Sequence, residues 1–300
     1  MIIEPLLRSL LFIPGNQPKM LAKAFSVSPD AFVLDLEDSV PVSEKKNARE
    51  IVAKHIDKIT ETGIPIIPRV NSLSSELIDD DLSAVVGSKI WGISVGKIGT
   101  PEDLLIIDRK ISQLEGKSGI KVGKIRLLAW LETASGVVNS HEICRNNNRL
   151  TAVCFGAEDY TADMEIPRHS LLTDLDNPAL LYPRTVIPLY AKAAGIMALD
   201  TPYFGYKDQA GLVKDCQLAK VLGFEGKFAI HPSQIDTINE VFSPSEQEYN
   251  KALQEIDAFE KSETQGRGST SLQDQVIDVP VVERARKLIS KYESIFGQGD

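Results

Sequence analysis

Cysteine is nearly missing from this sequence. The three present, Cys144, Cys154 and Cys216, are odd in number and widely spaced, which excludes a disulfide framework and a Cys-x-x-Cys redox or zinc site. They read as buried, reduced thiols. Histidine is almost as scarce, with four residues and none at zinc spacing from a cysteine. Positive charge is in deficit: 33 Lys+Arg stand against 42 Asp+Glu, a net charge of −9. That balance argues against nucleic acid or an anionic membrane as partner, because both need a basic face. No apolar run reaches the roughly 18 residues needed to span a bilayer. The start, Met-Ile-Ile-Glu-Pro, lacks the basic and apolar regions of a signal peptide. The expected location is cytoplasmic, or a matrix form already processed.

What is present is ordinary globular material, 43% hydrophobic and 25% charged, in a chain long enough for one large core. Eight short apolar runs occur at 9–14 (SLLFIP), 31–36 (AFVLDL), 64–70 (IPIIPRV), 91–98 (WGISVGKI), 125–131 (IRLLAWL), 150–155 (LTAVCF), 195–199 (GIMAL) and 226–230 (GKFAI). They are mostly apolar rather than alternating, as suits strands buried on both faces of a parallel sheet. Amphipathic segments such as 18–25, 43–59, 100–114 and 208–222 lie between them. Eight strand–helix repeats predict an α/β fold, a closed (β/α)8 TIM barrel. The open doubly wound alternative would place Gly-x-Gly-x-x-Gly after the first strand, where this chain has Pro14-Gly15-Asn16-Gln17.

Residues 1–243 are read as the barrel and 244–300 as a C-terminal helical extension. Ser243 with Glu246 has capping-box spacing and predicts a helix through about Lys261. Residues 262–275, rich in Ser, Gly, Gln and Thr, read as a flexible linker. A last helix is expected from Pro280 to about Phe296, making a mobile lid.

Barrel active sites collect at the C-terminal ends of the strands, and here those positions are unusually polar. They carry Asp35, Glu37 and Asp38; Arg69 and Asn71; Lys97; Glu132; Glu158 and Asp159; Asp200; and His231. Wet loops explain one or two such positions, but not ionisable groups at seven strand ends of eight. So many carboxylates around Arg69 and Lys97 repel one another in a dry pocket unless a cation is present. Oxygen ligands select a hard ion, Mg2+, which takes one or two carboxylates plus substrate oxygens. Glu132 and Asp159 end neighbouring strands and suit that ion. Glu158 competes with Asp159, since a strand's period of two turns only one of the pair inward.

The same residues carry a resemblance. The stretches Arg8-Ser9-Leu10-Leu11-Phe12-Ile13-Pro14-Gly15, Leu34-Asp35-Leu36-Glu37-Asp38-Ser39-Val40-Pro41, Pro68-Arg69-Val70-Asn71, Leu131-Glu132-Thr133-Ala134, Phe155-Gly156-Ala157-Glu158-Asp159-Tyr160, the segment from Leu222 through Ile230-His231-Pro232, and Val276-Ile277-Asp278-Val279-Pro280 follow in order. Together they resemble the citrate lyase β-subunit-like group of HpcH/HpaI aldolases, which includes stand-alone malyl-CoA and citramalyl-CoA lyases. The resemblance implies Mg2+ on Glu132 and Asp159, with Glu132 also part of the substrate site. Asp35, Glu37 and Glu158 would surround these ligands. Arg69 would contact the keto-acid half, and Arg8 and Lys19 the CoA phosphates. The assembly would be a homotrimer or hexamer in which Asp278 of the lid serves a neighbouring subunit.

The implied reaction is cleavage of a 3-hydroxyacyl-CoA thioester to acetyl-CoA and an α-keto acid, or the reverse condensation. Arg69 would stabilise oxyanion charge and Asp278 would move the proton. Ile230-His231-Pro232 looks more like the stand-alone lyases than the subunit of the citrate lyase complex, and so favours free CoA thioesters over an acyl-carrier protein. The alternatives are that citrate lyase β subunit, a CoA-independent class II pyruvate aldolase, a malyl-CoA thioesterase and a non-catalytic scaffold. Plainer roles compete for single residues. Asp278 also suits an N-cap of the last helix, His231 a satisfied rim residue, Asp200 a loop cap, and Asp79-Asp80-Asp81 a solvated helix start. His55, His141 and His169 are assigned no chemistry.

Overall fold

The computed structural model describes residues 5–145, 148–166 and 177–297; His169 lies outside them. Eight parallel strands form a closed barrel in sequence order: β1 (Ser9–Pro14), β2 (Ala31–Asp35), β3 (Arg69–Val70), β4 (Gly92–Val95), β5 (Arg126–Leu131), β6 (Leu150–Phe155), β7 (Met197–Asp200) and β8 (Gly226–Ala229). β8 closes onto β1 through Ser9↔Lys227 and Leu10↔Phe228. Each strand falls within, or one residue beyond, an apolar run of the sequence. β3 is shorter than its run because two prolines, Pro65 and Pro68, punctuate that stretch with only Ile66 and Ile67 between them, and proline cannot donate to a ladder.

The helices are α1 (Pro18–Leu21), α2 (Lys45–Ile59), α3 (Ile78–Val85), α4 (Pro101–Lys117), α5 (Ala134–Val138), α6 (Ser140–Arg145), α7 (Ala157–Asp163), α8 (Pro178–Ala194), α9 (Gln209–Leu222), α10 (Ile235–Phe242), α11 (Glu246–Glu263) and α12 (Val279–Phe296). The longer outer helices bury one stripe each. α2 buries Ala48, Val52, Ile56 and Ile59, the spacing of a single helical face. α4 buries Leu104, Ile107 and Ile111, and its start is fixed by a Thr100–Asp103 capping box. Inside the barrel, Phe12, Trp130 and Phe228 stack, with Trp130 and Phe228 centroids 4.3 Å apart. Trp130 donates its indole N–H to Ser94 Oγ at 2.7 Å, which satisfies the one polar atom this ring buries.

Asp200 does not cap a loop. It lies fully buried with Arg184 of α8, Asp215 of α9 and Lys227 of β8. Arg184 Nη2 reaches Asp200 at 2.7 Å and Asp215 at 2.9 Å, and Lys227 Nζ reaches the same two carboxylates at 2.6 and 2.5 Å. Two positive and two negative charges thus tie the last two strands to their covering helices. The acidic triplet also departs from a purely solvated helix start. Asp79 and Asp80 are exposed, but Asp81 is buried and accepts from Arg49 Nε and from both Asn71 N and Nδ2. All three cysteines are buried and unpaired.

The chain divides into two compact units, Met1–Asn239 and Glu240–Asp300. In the second unit, α11 begins at Ser245 with Glu248 as its capping box, two residues later than the Ser243–Glu246 pair. Ser243 is already engaged, its N–H bonding Glu240 O at the end of α10. The stretch expected as linker holds an antiparallel hairpin, β9 (Thr270–Leu272) and β10 (Gln275–Ile277). Its two-residue turn, Gln273-Asp274, has both φ values positive, as a tight hairpin needs. Composition registers the polarity of this turn but not its geometry. Phe259, Ile277 and Val282 make a small core between α11, the hairpin and α12.

Breaking the buried quartet strands charges in a dry layer. Lys227→Met is expected to destabilise the protein by about 3–5 kcal/mol in urea denaturation at pH 7. A loss under about 1 kcal/mol would show that the four charges offset each other without Lys227.

Candidate active site

The C-terminal ends of the barrel strands converge on one cavity of about 570 Å³. It is lined by Asp35, Asp38, Arg69, Glu132, Glu158 and Asp159, with Phe12, Trp130, Ala162, Pro202, Phe204 and Ile230 as its apolar wall. Asp35, 1% exposed, receives a two-pronged contact from Arg69, Nε to Oδ1 and Nη2 to Oδ2, each 2.7 Å. The backbone N–H groups of Glu37 and Ser39 also point at Asp35. Burial opposes ionisation of Asp35, but the Arg69 charge and these donors hold its pKa below the usual range. Arg69 Nη1 lies 3.0 Å from Glu37 Oε2 and 3.1 Å from Asp38 Oδ2. Its guanidinium stacks over Phe12, 4.6 Å from the ring centroid.

The loop after β2 is fastened from outside. Lys45 Nζ donates to Leu36 O and Glu37 O at 2.8 Å, and Asn71 Nδ2 donates to Leu36 O and to Asp81. Lys45 and Asp81 thus have positioning roles that their sequence context, a helix start in each case, did not suggest.

Glu132 follows β5 and is 2% exposed. Lys97 donates its backbone N–H to Glu132 Oε1 at 2.8 Å. Two glycines press against the same carboxyl group. A Cβ on Gly96 would meet Glu132 Oε1 at 2.7 Å, and one on Gly156 would collide with Glu132 Oε2. Burial first, then the Asp159 and Glu37 carboxylates, push the Glu132 pKa up to about 8. Glu37 is pushed up to about 7 by burial, with Asp38 and Asp35 adding to the effect and Arg69 and Lys97 opposing it. Lys97 Nζ sits 3.3 Å from Asp159 Oδ1 and 3.6 Å from Glu37 Oε1.

Glu158 and Asp159 do not belong to a strand. β6 ends at Phe155, Gly156 precedes the first turn of α7, and both acids line the cavity, so alternation along a strand does not choose between them. α7 is held in place by Ala157 N–H donating to Thr201 Oγ1 at 3.2 Å.

Several expected residues lie elsewhere. Asp200 points into the quartet between barrel and helices. His231 accepts the Ser233 N–H and stacks on Tyr206, as a satisfied rim residue does. Arg8 precedes β1 and forks onto Asp30, which precedes β2, at 2.8 Å through Nε and Nη2. It therefore stands at the N-terminal ends of the strands, about 20 Å along a six-residue strand from the cavity rim. That placement corrects its expected role at the CoA phosphates. Lys19 is exposed on α1, just beyond the C-terminal end of β1. Asp278 N-caps α12 by accepting from Val281 N at 3.3 Å.

Among the described residues no cluster of three or more His, Cys, Asp or Glu is arranged to hold a metal ion. The donor set nonetheless fits Mg2+, which takes one or two carboxylates and completes its shell with water and substrate oxygens. The buried Glu132 and the half-buried Asp159 line one cavity, where a cation would offset the burial and carboxylate repulsion that push the Glu132 pKa up.

Similarity to known proteins agrees with this geometry. A family model described as HpcH/HpaI aldolase/citrate lyase matches residues 8–232. The citrate lyase subunit beta of Leuconostoc mesenteroides subsp. cremoris is 36% identical over 286 residues, covering 95% of this chain and 93% of that protein. The human mitochondrial citramalyl-CoA lyase is 32% identical over 299 residues, covering 96% and 86%. A citrate lyase beta subunit from M. tuberculosis, solved with oxaloacetate and magnesium, superposes with a TM-score of 0.65 at 25% identity, covering 79% of this chain and 96% of that one.

The electrostatics yield a sign for pH dependence. A carboxyl group whose folded pKa is raised to about 8 from 4.5 contributes stability that is complete below pH 4.5 and is lost as pH rises through 8. Metal-free protein should therefore lose roughly 3–5 kcal/mol between pH 5 and 9 through this group. Urea midpoints measured in EDTA should fall more steeply with pH for the wild type than for Glu132→Gln. Parallel profiles would show that Glu132 is ionised at no cost.

Proposed function

The chain belongs to the HpcH/HpaI aldolase/citrate lyase family, and from that premise we propose that it is a Mg2+-dependent carbon–carbon lyase. It cleaves a 3-hydroxyacyl-CoA thioester of the citramalyl-CoA or malyl-CoA type to acetyl-CoA and an α-keto acid, or condenses the two in reverse. The observation that carries the reading is the meeting of Glu132, Asp159 and Arg69 in one cavity. The citramalyl-CoA lyase and the magnesium-bearing citrate lyase subunit among its relatives support the substrate class and the metal.

Glu132 and Asp159 would hold the ion, which when bound supplies Lewis acidity toward the hydroxy-acid end of the substrate. The other steps fall to the chain. Arg69 is pre-oriented by Asp35, Glu37 and Asp38, so its remaining N–H can meet developing oxyanion charge without rearranging. The apolar wall of Phe204, Pro202 and Ile230 excludes water, which would otherwise hydrolyse the thioester. Glu37, Asp35 and Glu158 set the charge around the ligands. Lys19 is assigned to the CoA phosphates.

The proton to or from the thioester α-carbon is assigned to Asp278, and the second unit, residues 244–300 in this reading, is assigned the role of a lid acting on a neighbouring subunit of a homotrimer or hexamer. Exposed Leu181, Tyr182 and Leu189 on α8 supply apolar surface for such an assembly. A cytoplasmic location is part of the reading. A second reading, the β subunit of a citrate lyase complex, is favoured by the 36% identity to that protein.

The test is acetyl-CoA release from citramalyl-CoA, malyl-CoA and citryl-CoA, with and without EDTA and with no carrier protein added. EDTA-sensitive cleavage of a free CoA thioester is expected; inertness toward all three would refute the reading. Glu132→Ala should abolish turnover at any Mg2+ concentration. Asp278→Asn should lower kcat about 100-fold or more with KM changed less than about threefold, and a near-normal kcat would remove Asp278 from the chemistry.

A further inference from the structure

We propose that the Lys97 ammonium is a built-in counter-cation of the active site which the metal must displace from Asp159, so that metal and anionic substrate bind cooperatively. The proposal rests on the magnesium reading above.

Three observations meet at this residue. Lys97 has φ +57°, in the left-handed region, where a non-glycine residue carries backbone strain on the order of 1 kcal/mol. Its backbone N–H anchors Glu132 Oε1 at 2.8 Å. Its Nζ lies 3.3 Å from Asp159 Oδ1 and 3.6 Å from Glu37 Oε1. A glycine would adopt the same backbone without strain and make the same contact to Glu132. The strain is therefore tied to the side chain, whose ammonium bridges Asp159 of the cavity wall and the neighbouring Glu37.

Asp159 cannot serve the ammonium and a divalent ion equally, because the two like charges would repel at that range. Displacement leaves a cation at the lip of the cavity, where the side chain is already 37% exposed. Arg69 is not an equivalent source of free charge, since four contacts bind it to Asp35, Glu37 and Asp38. An incoming carboxylate rebalances the released ammonium. The free protein thus holds the ion loosely, an α-keto acid tightens it, and by linkage the ion tightens the acid by the same factor.

Mn2+ titrations followed by electron paramagnetic resonance test this on the full chain, with Lys97→Met and Lys97→Gly beside the wild type, each with and without pyruvate or glyoxylate. In both variants the Mn2+ dissociation constant of the free protein should fall roughly five- to tenfold, and the further tightening by keto acid should shrink. The difference from wild type should narrow in high salt. Lys97→Gly keeps the Glu132 anchor and relieves the strained φ. Tightening in the glycine variant alone would therefore assign the effect to the backbone and overturn the proposal. So would an unchanged or weaker Mn2+ affinity in both variants, or keto-acid coupling equal to that of the wild type. A wild-type protein that binds no Mn2+ at all would remove the magnesium reading itself, and the proposal with it.

Discussion

The fork between Arg69 and Asp35 is the contact on which the rest of the site depends. It joins the ends of β2 and β3, holds Asp35 ionised despite full burial, and leaves the guanidinium aimed into the cavity. Remove either partner and the other is a buried, unpaired charge, a condition proteins tolerate poorly. Glu37 and Asp38 share the other side of the guanidinium. Its orientation is thereby set before any ligand arrives, and the planar fork does what a lysine's point charge cannot. Beyond this fork, Asp159 pairs with Lys97, while Glu132 takes the Lys97 backbone N–H and feels the Arg69 charge only from a distance. That uneven distribution of counter-charge is what the proposed metal would relieve on the far side of the cavity.

Much of this was legible in the sequence because the signals were long and repeated. Eight apolar runs separated by amphipathic stretches leave few folds other than a barrel, and a strand buried on both faces has a clear end where the first charged residue appears. Asp35, Arg69, Lys97 and Glu132 follow from that rule alone. The approach of each to the others follows from closure of the barrel, which places consecutive strand ends side by side.

The failures have particular causes. Asp200 also sits at a strand end, but its partners are Arg184, 16 residues away on a helix that covers the outside, and the buried Lys227 of β8, and periodicity does not say toward which layer a terminal side chain turns. Glu158 and Asp159 were weighed as strand residues, whereas the chain enters a helix at Ala157; one residue at a boundary decides which periodicity applies. Arg8 was placed by its neighbourhood in a motif. Its position before the first strand rather than after it puts it at the other end of the barrel. The hairpin in residues 262–275 hid within a polar composition that suits linkers and tight turns alike.

Gly96 and Gly156 close around the Glu132 carboxyl group so tightly that neither tolerates a methyl group. The side chain thus has almost no rotamers to sample in the folded protein. Its conformational entropy is surrendered once, when the barrel forms, and not again at each encounter with a ligand. A change at either glycine would therefore displace the carboxylate even though the acid itself stayed in the sequence.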